Sequence, residues 1–90
     1  MSVDYTVSIW KEGEQFVAHA MPLDVASSGE SPEAARAAVD EAVHAFIDSC
    51  SNAGMLDQVL EEAGYTRDAD GKWRSPSWVS LERRELAIAT

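Results

Sequence analysis

Two histidines, one cysteine and sixteen acidic side chains are the groups from which chemistry could be built in this 90-residue chain. His19 and His44 are far apart in sequence, and local spacing puts no Ser or Cys nucleophile beside His19, so no nucleophile–base pair can be read. His44 falls among carboxylates on a charged helix face and reads as a solvated surface group. Cys50 falls in an apolar stripe, where a buried thiol is inert. One cysteine cannot form an intrachain disulfide, which suits a reducing, cytoplasmic compartment. One cysteine and two scattered histidines give no basis for a structural zinc site. No catalytic residues, metal or cofactor are therefore expected, and the chain does not read as an enzyme.

A second set of residues suggests binding. Tyr65, Trp73 and Trp78 are interleaved with Arg67, Lys72 and Arg74, a combination that can stack on bases. The plainer reading is that aromatics in a terminal hairpin cover the edge of a small core. The charge favours the plainer reading. Net charge is −9. Residues 1–30 carry −4 (Lys11 against Asp4, Glu12, Glu14, Asp24 and Glu30). Residues 31–64 carry −6 (Arg36 against Glu33, Asp40, Glu41, Asp48, Asp57, Glu61 and Glu62), and residues 65–90 carry +1. Such a body repels a phosphate backbone, so direct nucleic-acid binding is not expected. It attracts a basic protein and speeds the encounter. Solubility alone is the bland explanation of the acidity.

These residues must be positioned by one domain, since 90 residues leave no room for a second core. The composition, 46% hydrophobic and 26% charged, is that of a folded globular chain. No apolar run approaches the roughly 18 residues of a membrane span, and the N-terminus lacks the basic start and apolar stretch of a signal peptide. Residues 4–10 alternate, with Tyr5, Val7 and Ile9 on one face, and predict a strand. Residues 15–21 predict a second strand, paired with the first as an antiparallel hairpin across Gly13. A short third strand is expected over residues 24–28. Ser31-Pro32-Glu33 is a helix start, with a capping hydroxyl, a proline in the first turn and a carboxylate at the positive end of the dipole.

The helix is expected to run to Asn52, with Ala35, Val39, Ala42, Val43, Phe46, Ile47 and Cys50 as its apolar stripe, packed on the first two strands. A shorter helix is expected over residues 55–63. A hairpin about Asp70-Gly71 then joins residues 65–67 to 72–74. Residues 78–81 alternate again. Leu86 and Ile88 have the opposite parity, which predicts a strand with a bulge near residues 82–85, although helical composition is the alternative there. The fold class is thus α+β: an antiparallel β-β-β-α core with one long helix on one face, a second short helix and a C-terminal β-hairpin or strand.

The ordered pieces Tyr5-Thr6-Val7, Phe16-Val17-Ala18, Pro22-Leu23-Asp24 and Gly29-Glu30-Ser31-Pro32-Glu33-Ala34-Ala35 resemble the HicB-like antitoxin family over about residues 4–54. Asp24-Val25-Ala26 replaces the Pro-Gly-Cys corner common in that family, and no ribbon-helix-helix or helix-turn-helix segment follows the core. The resemblance implies a truncated ribonuclease-H-like fold without catalysis. It also implies self-association and a role in a bacterial-type toxin–antitoxin system, covering the active site of a small basic ribonuclease. An active site of the ribonuclease-H type needs carboxylates converging on metal ions, typically one in the middle of the first strand. Thr6, Val7 and Ser8 stand there, with Asp4 at the edge.

The leading expectation is a non-catalytic protein-binding module, a homodimer or larger, whose acidic Asp40, Glu41 and Asp48 steer a small basic partner. Trp78, Arg83 and Arg84 are its expected contact surface, because an aromatic beside arginines can anchor an interface. The alternative is a stand-alone oligomeric domain that binds a small ligand between subunits.

Overall fold

A computed structural model describes residues 2–89, so Met1 and Thr90 lie outside the description. Alternation and turn chemistry produce the first layer. β1 (Thr6–Glu12), β2 (Gln15–Met21) and β3 (Val25–Gly29) form an antiparallel sheet in the order β1-β2-β3. Gly13, at φ 63°, closes the tight β1–β2 turn next to the Glu12–Gln15 pair, where a primed turn needs a positive φ. β1 begins two residues later than the expected 4–10 span because the preceding backbone pairs elsewhere. The Asp4 amide donates to the Trp73 carbonyl, and Val3 and Trp73 form an isolated parallel bridge.

α1 (Pro32–Asn52) starts where the sequence puts it, with the Ser31 hydroxyl accepting from the Ala34 amide at 3.0 Å. The small residues Ala18 and Ala20 let α1 settle onto the sheet through Ala35, Val39 and Val43, and all five are buried. The stripe does not centre on the first two strands as expected. α1 packs most extensively on β3, then β2, and least on β1. The reason is the close approach of β3 to the first helical turn at Gly29, which draws the helix to that side of the sheet.

α2 (Leu56–Glu62) adds Leu56 and Leu60 to the core. The hairpin of β4 (Thr66–Arg67) and β5 (Trp73–Arg74) follows, as expected. Asp68 shapes its turn: one carboxylate oxygen accepts from the Asp70 and Lys72 amides, and the other accepts from Arg74 Nε at 3.2 Å. These bonds, led by that from the Lys72 amide, hold the Asp68 carboxyl below its ordinary range.

The C-terminal expectation fails. Residues 75–89 form neither the strand expected over 78–81, nor the bulged strand beyond it, nor a helix. The ladder that joins β5 to the start of β1 stops at Asp4, whose carbonyl accepts from the Tyr65 hydroxyl at 2.6 Å, while the Ser75 amide turns to the Asp4 carboxylate. Residues 82–89 are too few to hold a helix alone, and the described residues supply no second layer there to bury Leu86 or Ile88. The tail enlarges the molecule: the radius of gyration is 15.5 Å, against about 12 Å for a compact chain of this length.

Candidate functional site

Two grooves flank β1. The first lies between the start of the chain and α1. Helical spacing aligns Asp40, His44 and Asp48 one turn apart, and Val3, Tyr5, Val43 and Ile47 join Asp40 and His44 in walling a space of about 390 Å³. The Tyr5 hydroxyl donates to Asp40 Oδ1 at 2.7 Å. This bond, with burial and the Asp40 charge, pushes the Tyr5 phenol up to about 12, so the phenol stays protonated and fixes the carboxylate at the groove wall. His44 Nε2 stands 3.7 Å from Asp48, and both side chains are largely exposed, a geometry worth little in stability. Glu41 is exposed on the next position of the helix. An apolar floor with a fixed carboxylate suits the aliphatic stem and cationic head of a Lys or Arg.

The second groove lies between β1 and the tail. Asp4 anchors the point where the tail departs: its carboxylate accepts from the Ser75 amide at 2.7 Å and the Ser75 hydroxyl at 2.9 Å. Beyond Pro76, residues 78–81 run beside Thr6–Ile9 without pairing, and together with Met21 they enclose about 400 Å³. The order β1-β2-β3 makes β1 an edge strand, so its outer N–H and C=O groups there are open to another chain.

Desolvation pushes the Asp4 carboxyl up, but the Ser75 bonds outweigh it and hold the group below its ordinary 3.8. A carboxyl depressed in the folded state stabilises above its unfolded value, and that contribution is lost as pH falls through the folded one. Asp4→Asn is therefore expected to flatten the fall in melting temperature of the native chain below about pH 4. Thermal melts between about pH 2 and pH 6 check this, and parallel curves for the two proteins would refute the anchor.

The expected site residues form two separate groups. Asp40, Glu41 and Asp48 are on α1. Trp78 lines the tail groove, while Arg83 and Arg84 lie farther along the exposed tail, Arg84 Nη1 being 3.8 Å from Glu82. No hydrogen bond or ion pair among the described residues links the groups. Tyr65 and Trp73, the other aromatics of the expected patch, are only 3% exposed. They cover the core, as the plainer reading held, with the Arg67 guanidinium 5.5 Å above the Trp73 ring. The buried Trp73 Nε1 has no acceptor among the described residues.

Sequence reasoning missed two features. Strand register sets Ser8 directly opposite His19, a neighbour that local spacing does not show. His19 Nε2 is instead 2.6 Å from Asp24 Oδ1, with Trp10 packed edge-on to the ring. Asp24 has φ 60° in the turn that follows the cis Met21–Pro22 bond, a left-handed conformation that Asp tolerates better than most residues. No hydrogen bond joins Ser8 to His19 among the described residues; the imidazole pairs with Asp24 in the turn after β2. The other missed feature is the groove at Tyr5; the alternation of β1 puts Tyr5 on the helix face, but its reach to Asp40 depends on how α1 docks.

Among the described residues, no three His, Cys, Asp or Glu side chains converge on a common point, and no helix is long and apolar enough to cross a membrane. Cys50 is half-buried against the core and unpaired. Comparison with known protein families, with curated proteins and with solved structures finds no match for this chain.

Proposed function

We propose that this protein is a non-catalytic binding module that masks a small basic protein, in the manner of a HicB-like antitoxin covering a ribonuclease. The observation that carries this reading is the groove at Asp40. It is apolar at its floor, it has a carboxylate fixed by Tyr5, and the helix that bears it carries four carboxylates against one arginine. The residues that resemble that family fall on β1, β2, the turn after β2 and the capped start of α1. Asp40, Glu41 and Asp48 steer the encounter from a distance, and Asp40 also makes the contact. Trp78, Arg83 and Arg84 belong to a different surface and are not part of this reading.

The test is charge reversal in the intact chain. The triple substitution Asp40→Lys, Glu41→Lys and Asp48→Lys is expected to slow association with a small basic ribonuclease about tenfold or more at low salt. The difference should shrink as salt screens the charges. Asp40→Asn alone is expected to act mainly on dissociation, because it removes the charge at the contact and leaves most of the field. Stopped-flow association at several salt concentrations separates the two effects. An on-rate indifferent to both the salt and the triple reversal would refute steering and leave the acidity to solubility.

A further inference from the structure

The tail is the largest exposed apolar surface for which the fold offers no cover. Trp78, Val79, Leu81, Leu86 and Ile88 are between 53% and 95% exposed, and they lie on a segment with no hydrogen-bonded secondary structure. Beside the first of them runs the outer edge of β1, whose backbone groups require an extended chain if they are to be paired. The space between is apolar, walled by Val7, Ile9, Met21, Trp78, Val79 and Leu81. Its own tail does not close it, because the parallel pairing that begins at Val3 and Trp73 stops where the Asp4 carbonyl accepts from the Tyr65 hydroxyl and the Ser75 amide turns to the Asp4 carboxylate.

Three properties define what fits. The occupant must be extended, to use the β1 edge. It must be apolar, to match the walls. It must also carry no net negative charge, because the whole −9 of the chain sits on residues 1–74. Residues 78–88 meet all three conditions: they form no helix and are free to lie extended, they carry Trp78, Val79, Leu81, Leu86 and Ile88, and Arg83 and Arg84 cancel Glu82 and Glu85. Two bodies of this charge repel if pressed face to face, whereas a neutral arm bearing two arginines approaches an acidic neighbour without that repulsion. The segment that lines the groove is also the segment that suits it, which is the self-complementarity a two-fold contact demands.

We infer that the groove between β1 and residues 78–81 receives the same segment of a second copy, so that two chains dimerise by exchanging C-terminal arms. Residues 78–89 reach roughly 40 Å when extended, longer than the edge of β1 at about 23 Å. Residues 78–84 therefore cover the edge, which sets Arg83 and Arg84 at its far end, against the neighbour's acidic surface, and leaves residues 85–89 beyond it. This contact is independent of the groove at Asp40, so either can fail without the other.

Sedimentation velocity of the intact chain from about 1 to 100 μM spans the range in which a micromolar dimer forms. The native protein is expected to be dimeric at the upper end. Val79→Asp with Leu81→Asp is expected to be monomeric throughout, and Val79→Ser with Leu81→Ser to weaken the dimer at least tenfold without changing the charge. Both positions are exposed in the single chain, so the far-ultraviolet circular dichroism of the monomer should be preserved. A native protein that stays monomeric at about 100 μM would overturn the inference. So would a dimer of unchanged strength in both double variants, which would assign the interface to another face.

Discussion

Leu60→Ala is expected to lower the stability of this protein by about 3–4 kcal/mol. Leu60 has no exposed surface and, with Val39, is one of the two largest fully buried side chains. It belongs to the cluster with Leu56, Tyr65 and Trp73, where α2 and the terminal hairpin close over the sheet–helix core. The loss combines transfer of the removed atoms with the cavity left behind. Val39 is pinned by the docking of α1 and Trp73 by its backbone bonds to Ser2 and Asp4, so neither can move far to refill the space. A domain of this size has a total stability of about 5–13 kcal/mol, and the melting temperature should drop on the order of 15 °C. Phe46, the largest side chain of the predicted helix stripe, is only partly buried against the cluster, and Phe46→Ala should cost less than Leu60→Ala. Chemical denaturation of both variants checks the order, and a reversed order would show that α2 is not part of the cooperative core.

Gly29→Ala is expected to cost about 2–3 kcal/mol for the addition of one methyl group. A Cβ on Gly29 would lie 2.7 Å from the Ala35 nitrogen and 2.8 Å from the Ala34 carbonyl carbon. Both are backbone atoms of the first turn of α1, and that turn is held in place. The Ser31 hydroxyl accepts from Ala34, and the Ser31 carbonyl accepts from Ala35 at 2.9 Å. Relief requires moving either the helix start, at the expense of a cap worth about 1 kcal/mol, or β3 away from its pairing with Phe16. Ser31→Ala with Gly29→Ala should therefore cost less than the sum of the two single changes, because the weakened cap lets the turn shift. A double-variant cycle by urea denaturation measures this. Full additivity would mean that the methyl group is accommodated on the strand side instead.

The relation of Gly29 to Ala35 marks a limit of what the sequence shows. Gly29 reads as the end of a strand, and it is the last residue of β3; that its hydrogen is needed so the helix can come close follows only from the docked structure. The same division runs through the chain. Residues 15–21 and 32–52 form their elements where predicted because the signals are local: alternation along β2, and a hydroxyl cap with a first-turn proline on α1. The charge separation that motivates the groove at Asp40 is likewise a property of composition.

The tertiary structure alone decided three things. It seated α1 toward β3 instead of β1, through one close backbone approach. It brought Tyr5 to Asp40 and Asp4 to Ser75, and set Ser8 opposite His19, all pairs whose distances depend on packing or register. It also left residues 78–89 outside the sheet. Residues 78–81 alternate as β1 does, but a strand is a pairing and not a property of one segment. Tyr65 takes the Asp4 carbonyl and the Asp4 carboxylate takes the Ser75 amide, so the existing bridge is not extended, and among the described residues no second surface accepts Leu86 and Ile88. Local patterns specify what a segment can become; whether it does so is set by the surface available to bury it, and the described residues offer the C-terminal arm none.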